Sequence, residues 1–509
     1  VAAACRAAPE KLPAAAADTA AERPFADSVF ELWIRGNDGS HPGDVLYVGQ
    51  SSRLIASVVA VEKTADGRPG VSAREVAAGR TRWRSLTPAV VAVDSAGRVR
   101  ALAPGAGRVE AAWSLAGAGA AGAADTMPFR VLAPDSAAVG PRFVEVSSAH
   151  TSDAYDTCGI TAAGEVACVA FGADARAGGA DAPGTGVLQA PAGSRFHGVA
   201  TGFGFVCALD AEGRAFCWGR NEWGQLGRGG TGGADGAARP AATAARFERL
   251  SAGRDHACGV TAGGEVLCWG LGAGGALGPA GVDRCTVQVE SRPHRLTPAP
   301  APCARTPRSV PLPARAVEVA AGDAHTCALT AAGELYCWGD VYSIRFRAAR
   351  PRRIGPPGVR LARVASGSRH VCGLDGQGAL YCWGRNWFGQ LGGASGRDGS
   401  PRLARVPDLP PLRAVTGGDE HTCGVARSGG AFCWGRNFNG QLGGGTWRED
   451  GLTAVAGGLE WSALAAGYGH TCGVTPAGVL YCWGSGLAFR REPSGYHEQP
   501  EPFAVSGWR

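Results

Sequence analysis

The chain has 509 residues, 45% of them hydrophobic and 18% charged, enough to bury more than one core, so two or more domains are expected and a disordered chain is excluded. Its 80 glycines and 32 prolines far exceed average usage and imply many turns. The formal charge of +6 is mild for this length, and no basic run interleaved with aromatics stands out, so no nucleic-acid partner is expected and the arginines read as a solvated surface. No stretch of about 18 apolar residues occurs, so no helical membrane span is expected. The single Met, and Lys only at Lys11 and Lys63 against many arginines, is the usage of a GC-rich bacterial genome.

The chain begins at Val1 rather than Met, so a signal peptide could have stood upstream. Residues 1–5, VAAAC, resemble the end of a bacterial lipoprotein signal, in which small residues precede a cysteine that becomes lipid-modified; Ala2 stands where that pattern usually has Leu. Lipidation of Cys5 and an incidental thiol in an alanine-rich leader both remain open. Residues 6–24, RAAPEKLPAAAADTAAERP, have the composition of a linker, so 1–25 is taken as leader and linker.

Residues 26–135 alternate apolar and polar side chains, as in LYVGQSSRLIASV (46–58) and in the stretch from Thr81 to Trp113, with turn signals at Asp94 to Gly97 and Pro104 to Gly107. Such a pattern predicts a small β-sandwich whose last strand is FRVLAP, 129–134. With Trp83, Val93, Gly97, Val99 and Gly105 at recurring positions, the segment resembles the bacterial Ig-like domain of group 2, found in surface adhesins. The resemblance implies a rigid spacer.

From residue 140 to 509 one pattern repeats. Seven cysteine pairs share a ten-residue spacing: Cys158 with Cys168, Cys207 with Cys217, Cys258 with Cys268, Cys327 with Cys337, Cys372 with Cys382, Cys423 with Cys433, and Cys472 with Cys482. In a hairpin centred on Gly263, Cys258 faces Cys268 and Val260 faces Val266 on the same side, because strand side chains alternate with period two. Leu329 with Leu335, Leu374 with Leu380 and Val474 with Leu480 repeat the arrangement. Directly opposed residues lie within disulfide reach, and closing such a loop adds roughly 2–3 kcal/mol. Reduced cysteines acting as small buried apolar groups are the alternative, although every hairpin carries both members. Neither a CxxC knuckle nor paired histidines accompany them, so no metal is expected. Cys285 and Cys303 fall in one insertion and are expected to pair. That leaves Cys5 alone, a fate lipidation would explain. Disulfides imply periplasm, cell surface or medium.

First cysteines recur at a period near 50 residues, lengthened by an insertion over 270–315, as in stacked propeller blades. CWGRNEWGQLG (217–227), CWGRNWFGQLG (382–392) and CWGRNFNGQLG (433–443), with AGRDHACGV and its four counterparts, resemble the repeat of the regulator of chromosome condensation family. The resemblance implies an all-β fold: a seven-bladed β-propeller preceded by an Ig-like β-sandwich. Trp218, Trp269, Trp338, Trp383, Trp434 and Trp483 suit packing between sheets. His256, His325, His370, His421 and His470 precede the first cysteines by two residues; Asp156 and Phe205 hold that place in the first two repeats. Residues repeated in nearly every blade read as hydrogen-bonding parts of the blade rather than as a metal or acid–base set.

In that family the loop before this histidine lies on one face of the ring and contacts partners. Its side chains vary here: Ala154 and Tyr155, Phe203 and Gly204, Arg254 and Asp255, Asp323 and Ala324, Ser368 and Arg369, Asp419 and Glu420, Tyr468 and Gly469. Tyr155, Phe203, Arg254, Asp255, Asp323, Arg369, Asp419, Glu420 and Tyr468 are the expected partner-binding face, since aromatics, Arg and carboxylates suit a protein partner; a merely solvated rim is the alternative. No nucleophile, base and orienting group can be assembled, so no catalysis and no cofactor are expected. An enzyme would need titratable groups converging in the ring's channel. The reading is a monomeric, exported, non-enzymatic scaffold that presents its face to a protein or a surface glycan and meets a membrane only through Cys5. An inhibitor or regulator of a secreted enzyme, and a guanine-nucleotide exchange factor, are the alternatives. Exchange activity is not carried over from the family's namesake, because the cysteine pairs, the extra N-terminal domain and the apparent export depart from it.

Overall fold

The structure is a computed structural model that describes residues 29–36, 45–47, 51–63, 69–73, 81–114 apart from 96 and 104, 122–132, 141–149, 157–169, 194–280, 283–292, 295–341, 344–392, 399–447, 451–485 and 499–505. Residues 1–25 with Cys5, and the loop residues Ala154, Tyr155 and Asp156, lie outside them.

Between Val29 and Leu132 two sheets form. One holds Val29–Gly36, Ser51–Lys63, Pro69–Ala73, Val91–Val93 and Arg98–Ala101; the other holds Val45–Tyr47, Thr81–Ser85, Gly105–Ser114 and Gly122–Leu132. Val91 and Val99 of the first and Val109, Ala111 and Met127 of the second are fully buried. The Asp94 turn forms as expected, with Gly97 at φ 79 and its N–H donating to the Asp94 carbonyl at 3.1 Å. Three strand limits differ from expectation. The 46–58 stretch divides between Val45–Tyr47 and Ser51–Lys63; Gly105 to Gly107 are already strand, paired with Val131 to Phe129; and the last strand begins at Gly122 rather than 129. Cross-strand hydrogen bonding carries these residues past the turn formers that punctuate the sequence.

Between Phe143 and Ala504 seven antiparallel sheets follow one another. Their first strands are Phe143–Ser148, Phe196–Gly202, Phe247–Ala252, Ala316–Ala321, Leu361–Ser366, Leu412–Gly417 and Ala463–Ala466. Each contacts its counterparts in the neighbouring sheets, and the seventh contacts the first. The Phe143 N–H donates to the Gly478 carbonyl at 2.8 Å across that last seam. Gln499–Ala504 is the outer strand of the seventh sheet, whose four strands among the described residues all come from C-terminal segments. The insertion forms a hairpin, Asp283–Arg292 with Arg295–Val310, that widens the third sheet to five strands.

Each of these seven sheets is built on the cysteine hairpin, and all seven ten-spaced pairs are bonded as their spacing predicts. Cys158 is bonded to Cys168, Cys207 to Cys217, Cys258 to Cys268 and Cys327 to Cys337. Cys372 is bonded to Cys382, Cys423 to Cys433 and Cys472 to Cys482. Each pair is directly opposed in register, with Cα atoms 4.0 to 4.1 Å apart. Cys285 and Cys303 are bonded across the insertion hairpin at 5.9 Å. The alternative of reduced, merely apolar cysteines is thereby set aside for all sixteen of these residues.

The loop's special backbone position is Gly264 rather than the central Gly263. Gly164, Gly213, Gly264, Gly333, Gly378, Gly429 and Gly478, each six residues after a first cysteine, all have φ between 74 and 95. This is a three-residue hairpin loop ending in a left-handed residue, a place glycine fills without steric cost. Eight intramolecular disulfides indicate an oxidising, extracytoplasmic environment.

Adjacent sheets are tied through the GQLG loops. In Asn221–Gly227, Asn386–Gly392 and Asn437–Gly443 the Asn Oδ1 accepts from the Leu N–H and the Gln Oε1 from the N–H two residues before it, at 2.8 to 3.1 Å. The Gln backbone carbonyl accepts the indole N–H of the next sheet's tryptophan: Gln225 from Trp269, Gln390 from Trp434 and Gln441 from Trp483, at 2.9 to 3.0 Å. Ala276 serves Trp338 equally well at 2.8 Å, because the acceptor is backbone. Trp218 and Trp383 follow repeats without a GQLG stretch; the Nε1 of each has no hydrogen-bond partner among the described residues, and the Trp383 ring packs on Phe346, centroids 5.1 Å apart.

A candidate partner-binding face at the channel mouth

The recurring histidines are buried and bridge sheets. His256 Nε2 meets Thr326 Oγ1, His325 meets Ser366 Oγ, His370 meets Thr422, His421 meets Thr471 and His470 meets Thr157, all at 2.8 to 2.9 Å. The last closes the seam between seventh and first sheets. Burial pushes His421 and His470 down to about 3, so both are neutral at physiological pH. Among the described residues no group of three His, Cys, Asp or Glu is placed to hold a metal.

The loops just before these histidines meet around one end of the ring. Their backbones bond loop to loop: Phe203 N–H to Arg254 O and Asp323 N–H to Ser368 O at 3.0 Å, Ser368 N–H to Gly418 O and Asp419 N–H to Gly467 O at 3.1 Å. Backbone bonds do not depend on side-chain identity, so the frame is constant while its side chains vary. Below this mouth lies a cavity of about 170 Å³ lined by aliphatic and hydroxyl side chains such as Val146, Ser148, Thr201, Ser366 and Thr416. Asp255, Asp323 and Asp419 stand at the mouth, while on the channel-lining first strands burial raises Glu145 and Glu318, whose carboxylates accept the Val199 and Val364 N–H groups of the neighbouring sheets.

Three clusters form there from residues far apart in sequence. In the first, Arg220 and Arg254 lie over the Phe203 ring at 4.4 and 5.5 Å, Arg220 lies over Trp223 at 5.5 Å, and Arg254 pairs with Asp255 at 3.4 Å. In the second, Asp323 and Asp419 flank the buried Ser368, and Arg369 pairs with Asp323 at 3.6 Å. In the third, Glu420 takes Arg385 and Arg436 at 2.9 Å each; Arg385 stacks on Trp387 at 3.5 Å, Arg436 lies over Phe438 at 5.1 Å, and Phe388 meets Phe438 edge to face at 5.8 Å. Trp387 and Phe438 are 52% and 53% exposed although their cationic supports are held inside.

Burial pushes the Asp323 carboxyl up to about 7, helped by Asp419 and opposed by Arg369 and Arg254. Burial likewise raises Asp419 and Asp255 to about 6, with Ser368 and Arg369 opposing at Asp419 and Arg254 and Arg220 at Asp255. Burial lowers Arg385 despite Glu420.

Of the expected face residues, Phe203, Arg254 and Asp255 therefore meet in one cluster, Asp323, Arg369 and Asp419 in another, and Glu420 anchors the third; Tyr468 is half-buried, and Tyr155 lies outside the described residues. The sequence reading missed Arg220, Trp223, Arg385, Trp387, Phe388, Arg436 and Phe438. The aromatics occupy the two variable positions of the GRNxxGQLG stretch and the arginines its constant Arg, beside the loops already singled out.

Comparison with known proteins agrees with this architecture. One family model for the regulator of chromosome condensation (RCC1) repeat matches residues 196–225, 247–275, 316–340, 362–390, 413–441 and 461–487, and a second matches 212–260 and 377–425. The chain is 29% identical over 265 residues to the ultraviolet-B receptor UVR8 of Arabidopsis thaliana, covering 50% of this chain and 56% of the receptor. It is 34% identical over 152 residues to the secretion-regulating guanine nucleotide exchange factor of Bos taurus, covering 29% of this chain and 30% of that protein. It thus spans about half the length of the first relative and under a third of the second. Among solved structures it is similar to human WBSCR16, with TM-score 0.55 and 19% identity over 68% of this chain and 89% of that one. It is also similar to Prp20p of Saccharomyces cerevisiae, described with its binding to Gsp1p and histones, with TM-score 0.54 and 20% identity over 72% and 87%. At that identity the likeness speaks to the fold alone. The matched stretches, each built on the same hairpin, are similar to regulator of chromosome condensation repeats, and the solved structures they resemble share the β-propeller fold.

Proposed function

We propose that the chain is an exported, non-enzymatic binding scaffold in which a seven-bladed propeller (140–509) docks a protein on its channel-mouth face. The observation that carries this reading is the pair of exposed aromatics, Trp387 and Phe438, stacked on arginines that a buried Glu420 holds in place. Rigid aromatic and arginine anchors are the side chains that dominate binding energy at protein interfaces. The two N-terminal sheets and their buried valines support an Ig-like spacer over 26–135; with a lipid on Cys5 it would hold the propeller off a bacterial surface. The scaffold acts as a monomer. Inhibition or regulation of a secreted enzyme would use the same face. Exchange of guanine nucleotide is favoured only by the likeness to the bovine factor, and the disulfides argue for another compartment.

The test places a photocrosslinking amino acid at Tyr468 of the full chain and irradiates it with the envelope and medium fractions of the producing cell. We expect a discrete protein adduct. The W387A/F438A variant, with unchanged melting temperature, should bind that protein at least about 30-fold more weakly. An adduct that forms equally well in the double variant, or no protein adduct at all, would discard the face. Accelerated nucleotide release from a small GTPase would move the exchange reading forward.

A further inference from the structure

Contrary to the expectation of arginines spread over a solvated surface, residues 344–363, IRFRAARPRRIGPPGVRLAR, hold seven arginines and no acidic residue, more positive charge than the net +6 of the whole chain. Five of the seven precede the GPPG turn and fall on or beside Phe346–Ile354, the outer strand of the fourth blade, and every one of the seven is exposed. The outer strand of the fifth blade, Ser400–Arg405, adds the exposed Arg402 and Arg405. The two strands lie side by side on the outer edge of the ring. Leu403 of the second is buried in one cluster with Phe346 and Ile354 of the first, so their apolar sides join inward and their arginines face solvent together.

The nearby carboxylates are too few to neutralise this band. Asp340 stands 3.8 Å from Arg347, Glu334 serves both Arg353 at 3.3 Å and Arg360 at 3.6 Å, and Glu318 stands 4.0 Å from Arg363. Arg345, Arg350, Arg352, Arg402 and Arg405 have no ion pair among the described residues. Side chains two apart on a strand stand about 7 Å apart, inside the screening length of about 8 Å at physiological salt, so their fields add.

We propose that this band binds an acidic polysaccharide lying along the two outer strands. Guanidinium groups engage carboxylates in bidentate fashion, and a row of them along an extended strand matches a linear chain bearing one anionic group per sugar or two. The favoured occupant is a glycan rather than a bilayer because none of the exposed large apolar side chains among the described residues lies on either strand, leaving nothing to enter the acyl region. It is favoured over a nucleic acid because the disulfides place the protein outside the cytoplasm. The band is separate from the channel mouth, so neither proposal depends on the other.

The test measures binding of full-length protein to polygalacturonate, with dextran, phosphatidylglycerol vesicles and duplex DNA as competitors. We expect polygalacturonate to bind in a salt-sensitive way and dextran not to bind. The R350S/R352S/R402S variant should bind at least about tenfold more weakly at unchanged melting temperature. The charge-matched R82S/R108S/R239S variant, altered elsewhere, should bind as the parent does. Absence of polygalacturonate binding, equal loss in both triple variants, or tighter binding to vesicles or DNA would overturn the proposal.

Discussion

Asp323, Asp419 and Ser368 show how much a single side chain's chemistry depends on neighbours far away in sequence. Ser368 lies in a loop between the loops that carry the two aspartates and contacts both carboxyls. A hydroxyl has one hydrogen, so it cannot donate to two carboxylates at once. Burial therefore favours a proton on Asp323, raised to about 7 from an ordinary 3.8. A carboxyl whose folded pKa lies above its unfolded value contributes stability that is complete below about pH 4 and is lost as pH rises through about 7. The loss runs at up to about 1.4 kcal/mol per pH unit for one group. His421 and His470, lowered to about 3, work the other way and add stability as pH rises from 3 to 6.5. Comparing wild type with Asp323→Asn cancels the histidines. Denaturant unfolding from pH 5 to pH 8 should show wild type losing stability relative to the variant. A difference that stays flat or changes sign would show that Asp323 is ordinarily ionised.

The cysteine hairpin is the unit from which the elements are made. Its register and its disulfide follow from spacing within about 15 residues, so both were legible in the sequence. The loop geometry was legible only in part, because the symmetric centre at Gly263 is not the residue that takes positive φ. Between strands the N-terminal sheets were read less well, since strand ends there depend on partners such as Val131 and Phe129. Opening one buried staple, that of Cys423 with Cys433, by the C423S/C433S change should lower stability by about 2–3 kcal/mol in guanidinium unfolding. C285S/C303S, on the outer hairpin of the third sheet, should cost less because the ring's inner contacts do not pass through it. If both pairs cost the same, the inner hairpins are not the elements that carry the ring.

At the scale of the whole molecule the question is closure. Six of the seven seams join sheets consecutive in the chain; the seventh joins Phe143, Ser148 and Thr157 to Gly478, Ala465 and His470 across more than 300 residues. A closed ring leaves no seam special. Thr157→Val, which removes the partner of His470, should therefore cost the same as Thr471→Val, which removes the partner of His421. Both should lie at about 1–3 kcal/mol by chemical denaturation, the cost of stranding a buried polar group. A negligible cost at Thr157 beside a normal one at Thr471 would mean that the ring stands open at its ends.

The sequence by itself determined the hairpin, the partner of each cysteine, the repeat and the loops from which a binding face could be built. All of these rest on local spacing: the two-residue period of a strand, the reach of a disulfide and the length of a turn act within one hairpin. Only the tertiary structure decided how the ends of the ring meet, which loop side chains gather into the Phe203, Asp323 and Glu420 clusters, and that the arginines of Phe346–Ile354 and Ser400–Arg405 form one band. These depend on distances between sheets about 50 residues apart in the chain, set by packing of neighbouring blades. Protonation belongs there too, because a carboxyl's pKa follows from what buries it and which charges stand beside it, and neither is written in its own segment.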